Sequence, residues 1–453
     1  MKKILSFILA CSIFVSCVSC VEANVRMKDM KGAEFEGFII LYQNGTREVV
    51  YPESNDNFGN FLLKMNTIRT TSPDVKDVMP NYIVRITKTA NDPFYGHQGY
   101  LNFLNMPLVW DYITSSNNQY IVIMDSGVQG DHPDLANSVN TQYSYDTYTG
   151  QNRAIDDNGH GTHCAGISSG VGNNGIGISG MIWNIPIISI RIIGPSGEGT
   201  MANVFDGIDY MVNLKNQGVN ITVVNCSFGG DGSFSQMYYD YFKKIHDAGI
   251  IAVCAVGNDN MNTDIYDFYP SNFTLDNIIR VGAMELNTTK ADFSNYGAVN
   301  VDVFAPGVEI YSTYPISSYI PLSGTSMAAP VVSGLCALIK GISPNLTPQE
   351  VINIIKTNAI TTPNLTGKCK TGGYINPVAC IKALSPTPIV PTSTPIPSLS
   401  PSPTFTPTSS PSTSGGGGGG CSVGISNSAR ILIFVPILLT FLPLFDYKIK
   451  RSN

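Results

Sequence analysis

Tyr120-Ile121-Val122-Ile123-Met124-Asp125-Ser126-Gly127 is an unbroken apolar run closed by an acid and a turn, and it sets the architecture. A run of this kind reads as a strand buried on both faces, not on one. Comparable runs recur at residues 185–190, 221–225 and 250–256, with helix-like stretches between them. Strands alternating with helices imply βαβ units and a parallel sheet covered on both sides, so the body from about residue 90 to about residue 384 is expected to be α/β. In such a sheet the functional crevice lies at the C-terminal ends of the strands, which is where Asp125 falls.

The chain's 453 residues leave room for one large domain and smaller appendages. With 43% hydrophobic and 13% charged residues, 43 glycines and 28 prolines, the globular body must be flanked by biased segments. A net charge of -6 and the lack of a Lys/Arg stripe supply no basic field, so nucleic acid is not expected as a partner.

Residues 1–23 have the layout of a secretory signal: Lys2 and Lys3, an apolar run, then small residues, with Val21 and Ala23 suiting a small-x-small cleavage site. Cys20 leaves an acylated lipoprotein reading open. Residues 24–88 alternate apolar and polar runs, for instance at 38–41 and 82–86, and precede every catalytic motif; they read as a small α+β propeptide. Residues 385–421 turn abruptly to Pro, Ser and Thr and then to glycine, a linker that cannot bury enough apolar surface to fold. As polyproline II at ~3.1 Å per residue, its Pro-rich part would span on the order of 90 Å. Residues 431–445 are apolar but short and interrupted by Pro436 and Pro443, and the basic tail 446–453 follows. That order resembles the C-terminal sorting signals of bacterial surface proteins. Membrane or cell-surface attachment is expected, with the body outside.

Of the ten cysteines, Cys164, Cys226, Cys254, Cys336, Cys369 and Cys380 belong to the body. Cys369 and Cys380 could pair in an oxidising compartment, while the others sit in apolar runs and read as small buried hydrophobes. No CxxC spacing suggests a metal site in the body.

Amide hydrolysis without a metal needs a nucleophile, a base, a group that orients the base, and donors for the oxyanion. Asn158-Gly159-His160-Gly161-Thr162-His163-Cys164-Ala165-Gly166 opens a helix-like run with His160 at its start. His163 reads as structural, and zinc on His160 and His163 fails for want of a third ligand. Gly324-Thr325-Ser326-Met327-Ala328-Ala329-Pro330 leads into the apolar run 331–339, which places Ser326 at a helix N-terminus where the dipole favours an alkoxide. Each residue alone has an ordinary reading: Asp125 as a strand-ending cap, Ser326 as an N-cap.

Taken in order, these three motifs resemble the subtilase family of serine endopeptidases from about residue 91 to about residue 381. The resemblance implies a three-layer fold with a mainly parallel central sheet and a triad of Ser326 as nucleophile, His160 as base then acid, and Asp125 as orienting carboxylate. Ala252-Val253-Cys254-Ala255-Val256-Gly257-Asn258 matches the family's oxyanion strand, which assigns the Asn258 amide and the Ser326 N–H to the oxyanion. Ser227, Phe228 and Gly229 match one edge of the peptide-binding groove, and Gly197 and Gly199 around Glu198 the other; a substrate would lie between them as an added strand. Ala255, Gly257 and Phe228 would line the pocket before the cut, and with no charge read there, an apolar or aromatic preference is expected. The family's calcium loop is matched by Asp92, Asp134, Gly172, Asn174, Ile176 and Ile178, implying one structural Ca2+ and no catalytic cofactor. Cys164 behind the triad implies packing and sensitivity to bulky thiol reagents. Val78-Met79-Pro80-Asn81-Tyr82 resembles part of an inhibitory prosegment, and Asn91-Asp92-Pro93-Phe94-Tyr95 a mature N-terminus, with self-cleavage between about 81 and 91. The partners implied are protein or peptide substrates and the chain's own propeptide. A binding protein on an inactive scaffold is disfavoured by the complete set of motifs, and a peptide ligase by the lack of an inserted water-excluding domain.

Overall fold

The computed structural model describes residues 27–28, 34–52, 58–82 and 88–384. The signal, linker, hydrophobic segment and basic tail read from the sequence lie outside them. Among the described residues of 27–82 a small antiparallel sheet forms from β1 (Met27–Lys28), β2 (Glu34–Tyr42), β3 (Arg47–Val50) and β4 (Val75–Tyr82), with helix α1 (Phe58–Thr71). Its own core is Phe35, Phe38, Phe61 and Met65, all buried. Edge-to-face ring pairs at 5.4 Å (Phe35 with Phe38) and 5.2 Å (Phe38 with Phe61) hold it.

The body begins with the short helices α2 (Gly99–Phe103) and α3 (Met106–Trp110), then strand β5 (Tyr120–Asp125). After the short strand β6 (Tyr145–Asp146) come helix α4 (His160–Ser169), β7 (Ile187–Arg191), α5 (Met201–Asn216), β8 (Ile221–Cys226), β9 (Gly230–Asp231) and α6 (Gln236–Asp247). The rest is β10 (Ile251–Ala255), β11 (Phe268–Tyr269), β12 (Ile278–Met284), β13 (Val303–Pro306), the hairpin β14 (Ile310–Tyr314) and β15 (Ser318–Leu322), then α7 (Thr325–Ile342) and α8 (Pro348–Thr357). β16 (Ile360–Thr361), β17 (Gly373–Tyr374) and α9 (Pro377–Leu384) close it.

Nine strands form one sheet in the order β16-β17-β13-β12-β10-β8-β5-β7-β6, parallel throughout except for β16 against β17. The expected α/β class and three-layer arrangement are present. Alternation along β5 shows why: Ile121 and Ile123 enter the core under α4 and α7, whereas Val122 and Met124 enter the core under α5 and α6. Because β7 lies on one side of β5 and β8 on the other, the strand order reverses at β5. The crevice beyond its C-terminal end is therefore the natural site.

Helix α7 is the one described helix long and apolar enough to cross a membrane, yet 78% of it is buried. It is the central core helix, packed on α4 and on strands β8, β10, β12 and β13. On its neighbour α4, Gly166 touches the β14–β15 hairpin so closely that a Cβ there would lie 2.2 Å from Thr313 Oγ1 and 3.0 Å from Thr313 N. Gly166→Ala would gain roughly 1 kcal/mol of helix propensity, but overpacking costs about 1–3 kcal/mol. The expected net outcome in urea unfolding of a Ser326→Ala background is a lower midpoint; an unchanged or higher one would show that the hairpin yields freely.

Candidate active site

Asp125 ends β5, fully buried. Its Oδ1 accepts from the Ser126 backbone N–H at 2.7 Å and from His160 Nδ1, the first residue of α4, also at 2.7 Å. A carboxylate only accepts, so Nδ1 carries the proton and Nε2 is the free, basic nitrogen of the neutral ring. The other Asp125 oxygen, Oδ2, is buried without a partner. Burial pulls the His160 pKa down, but the charge and hydrogen bond of Asp125, with Asp156 adding its charge, outweigh it and hold the imidazole above its ordinary value.

Asp156, which the motifs alone did not single out, organises the turn before α4. Its Oδ1 accepts from Ser126 Oγ at 2.9 Å and from the Gly159 N–H at 2.8 Å, and its Oδ2 accepts from Thr162 N at 2.9 Å and Thr162 Oγ1 at 2.6 Å. His163 lies fully buried behind His160, bonded through Nε2 to the Ile320 carbonyl at 3.0 Å. Burial drives its pKa down to about 4, which keeps it neutral and structural.

Ser326, the second residue of α7, lies beside them. Its Oγ donates to the Ser227 carbonyl at 3.1 Å, so in this rotamer it faces the 227–229 segment and not His160. The Ser326 carbonyl accepts from Ser227 Oγ at 2.8 Å and from Cys164 Sγ at 3.4 Å. Ser227 Oγ in turn accepts from Asn225 Nδ2 at 2.8 Å, and Asn225 Oδ1 from Ser333 Oγ at 3.0 Å. Ligand atoms of Asp125, His160 and Cys164 lie within 4.8 Å of one another. Burial and then the Asp125 charge push the Cys164 thiol far above its usual range, so it is a protonated packing group and weak donor there.

Asn258 follows β10. Its Oδ1 accepts from Thr325 N at 2.9 Å and Thr325 Oγ1 at 3.0 Å, an arrangement that fixes which end of the amide is Nδ2. A cavity of about 250 Å³ is lined by Ser227, Phe228, Gly229, Ala255, Gly257, Asn258, Asp259, Phe268, Thr325 and Ser326. A larger one of about 910 Å³ adjoins it and is lined by His160, Gly197, Gly199, Ser227, Phe228 and Gly229 among others. All seven residues expected to bind substrate thus meet at the crevice. Asp259, the acid directly after Asn258 and exposed to solvent, also lines the smaller cavity.

The residues matched to a calcium loop gather elsewhere. Asp92 is nearly buried and accepts from the N–H groups of Asn173 at 2.8 Å and Asn174 at 3.0 Å. Fully buried Asp134 accepts from Asn174 Nδ2 at 3.0 Å and Ile178 N at 2.7 Å. Asn174 Oδ1 accepts from Ile176 N at 2.7 Å, and Gly172 stands in the same loop against Trp183. Among the described residues no lysine or arginine pairs with either acid. Burial pushes the Asp134 pKa up to about 6 and the negative charge of Asp92 pushes the same way. Cys369 and Cys380, whose pairing the sequence leaves open, are both free, Cys369 bonded to Thr371 and Gly373, Cys380 to the Ile354 carbonyl. They belong to different packing clusters, which keeps the thiols apart.

Fold and crevice together define a serine peptidase on a three-layer α/β scaffold. Residues 116–379 match the profile described as the Subtilase family, and the chain belongs to that family. Thermitase of Thermoactinomyces vulgaris is 39% identical over 256 residues, 55% of this chain and 85% of that protein. Subtilisin DY of Bacillus licheniformis is 34% identical over 243 residues, 53% and 84% of the two chains. A solved protease of Pseudoalteromonas arctica superposes with a TM-score of 0.57 at 29% identity, covering 66% of this chain and all of the other (100%). The protein is a subtilase-family serine protease.

The imidazole environment is open to direct test. In the Ser326→Ala protein, NMR of ¹⁵N-labelled histidine is expected to place the His160 midpoint above the ordinary 6.5, and Asp156→Asn to lower it. A midpoint at or below 6.5 before that substitution would refute the charge balance drawn here.

Proposed function

We propose that this protease is an exported, self-processed endopeptidase in which Ser326 attacks the scissile carbonyl, His160 moves the proton and Asp125 orients the base. The single observation that carries the reading is the 2.7 Å bond from His160 Nδ1 to buried Asp125, beside a serine at a helix start. For attack, Ser326 Oγ turns from the Ser227 carbonyl towards His160 Nε2 by rotation about one side-chain bond, a low barrier. The oxyanion that forms takes a hydrogen bond from Asn258 Nδ2 and one from the Ser326 backbone N–H. Thr325 N is already claimed by Asn258 Oδ1, and the α7 dipole adds to both. The imidazolium then gives its proton to the leaving amine, and water, deprotonated by the same ring, releases the acyl group. His160 must be neutral to act as base. Its raised pKa therefore makes activity fall as pH drops through a midpoint above 6.5.

An extended peptide would lie between the 197–199 and 227–229 edges through backbone hydrogen bonds, with the side chain before the cut in the smaller cavity. Phe228, Ala255 and Phe268 give that cavity an apolar wall beside its polar lining. The 24–88 segment serves as the inhibitory propeptide, and residues 385–421 and 431–445 space and attach the protein outside a bacterial cell. The decisive comparison is wild type against Ser326→Ala on a denatured protein substrate, with prosegment release followed in the same gel. Wild type is expected to cut both and the variant neither; a wild type that cuts neither ends the endopeptidase reading.

Calcium fits the second cluster on the grounds of its donors: two carboxylates are buried in one loop cluster and, among the described residues, no lysine or arginine pairs with either. Asp92, Asp134, Asn174 and the carbonyls of Gly172, Ile176 and Ile178 would hold it, and its charge would offset the repulsion within the loop. Binding at a thousandfold excess over Kd stabilises by about 4 kcal/mol, or on the order of 10 °C for a domain of this size. A chelator is expected to lower Tm by that order in the Ser326→Ala protein and to have little effect in Ser326→Ala/Asp134→Asn. Equal Tm with and without chelator in the first protein would dismiss calcium.

A further inference from the structure

The loop that carries Asn258 is held by a side chain that the chemistry above does not use. Asn295 is 1% exposed and lines neither cavity of the crevice. Its Nδ2 donates to the Val256 carbonyl at 2.9 Å, and its Oδ1 accepts from the N–H groups of Asp259 at 3.0 Å and Met261 at 2.8 Å. Its backbone N–H donates to the Gly257 carbonyl at 3.0 Å. The contacts bracket Asn258 from both sides in sequence without touching it. The fit is close, because a Cβ on Gly257, at φ +98°, would lie 2.4 Å from Asn295 Nδ2.

We propose that Asn295 is a positioning residue for the oxyanion site: it sets the backbone of residues 256–261 so that the Asn258 amide, pinned at Oδ1 by Thr325, presents Nδ2 to the developing charge. The inference rests on Asn258 as oxyanion donor. An oxyanion donor is effective only when it is aimed before the reaction, since a loop that must reorganise gives back much of the stabilisation. Asparagine suits the post because one group must accept from two N–H donors and also donate to a carbonyl. Aspartate accepts but has no proton for Val256, and alanine removes the partner of all three groups, the Val256 carbonyl among them being buried. The neighbouring chain braces the same loop, with Asn260 N donating to the Phe293 carbonyl at 2.7 Å and Tyr296 N to the Met261 carbonyl at 2.9 Å. Lys290 Nζ donates to Asn260 Oδ1 at 2.8 Å. Among these contacts, Asn295 alone grips both sides of Asn258.

A residue that merely joins two loops would weaken the enzyme whether or not Asn258 has its amide. A residue that acts through Asn258 would not. The test is a double-mutant cycle of Asn258→Ala and Asn295→Ala on an amide substrate, with each protein normalised by active-site titration. Loss of the corresponding amide in subtilisin costs ~10²–10³ in kcat, and the same order is expected for Asn258→Ala. Asn295→Ala is expected to lower kcat roughly 10- to 100-fold, the scale of a small misplacement. KM should move by less than about twofold, and so should kcat when Asn295→Ala is added to Asn258→Ala. Asn295→Asp, which keeps both N–H contacts, should fall between wild type and Asn295→Ala, and it replaces the alanine in the cycle if that variant does not fold. Equal factors in the two backgrounds, or a rise in KM at unchanged kcat, overturn the proposal for Asn295. An Asn258→Ala protein with unchanged kcat removes the oxyanion reading itself, and the proposal with it.

Discussion

The helix that carries His160 meets the strand that carries Asp125 with no side chain between them. A Cβ on Gly161 would lie 2.0 Å from the Gly127 carbonyl oxygen and 3.0 Å from Asp125 Cβ, so only glycine permits the approach. The 2.7 Å bond between the two side chains depends on it. The Gly161 N–H donates to Ser126 Oγ at 2.9 Å, and that hydroxyl donates onward to Asp156, so one small network ties the end of β5 to the turn before α4. Any larger residue would move His160 relative to Asp125, and a displacement near 1 Å at a reacting group is worth about a hundredfold in rate.

The crevice is polar in a place where burial should forbid it. Asp125 sits fully buried at the end of an apolar strand with one oxygen unpartnered, a cost of about 1–3 kcal/mol for such a group. Behind Ser326, the Ser333–Asn225–Ser227 chain of hydrogen bonds ends on the carbonyl of the serine itself. In a low dielectric these fixed dipoles interact strongly, and satisfying them leaves α7 and β8 one way to fit together. Cys164 completes the set from α4 with its thiol on the same carbonyl. The six cysteines of the body are all free and buried. Burial raises the thiol pKa at Cys164, Cys336, Cys369 and Cys380, and a hydrogen bond with Cys254 followed by burial does so at Cys226; this removes the thiolate that would react, so these sulfurs serve as packing.

Much of this architecture is written along the chain, in the places where local pattern and burial agree. The strand runs at 120–124, 221–225 and 250–256 match β5, β8 and β10 to within a residue, since each is apolar on both faces. β12 is less legible because Arg280 and Gly282 interrupt it. The structure explains both: Arg280 pairs with Asp302 at 3.0 Å and donates to the carbonyls of Ser271 and Phe273, both at 2.7 Å, while a Cβ on Gly282 would lie 2.6 Å from the Phe304 ring. A charge looks out of place in a core strand until its partners, 22, 9 and 7 residues away in sequence, are known.

The same distinction separates the site residues that motifs reveal from those they hide. Asp125, His160, Ser326 and Asn258 stand at ends of regular elements with small residues around them, which is a local signature. Asp156 and Asn295 act on backbone groups, and a backbone N–H has no residue type to announce it. Asp156 at least lies in the turn it organises, where an acid ahead of a helix has a known turn-forming use. Asn295 is 36 residues from Asp259 and 39 from Val256, and its partners become neighbours only because β10 and the 291–296 segment are brought together beside β12. Residues that act through backbone groups distant in sequence are therefore the ones for which three-dimensional contact, and not spacing, is the evidence.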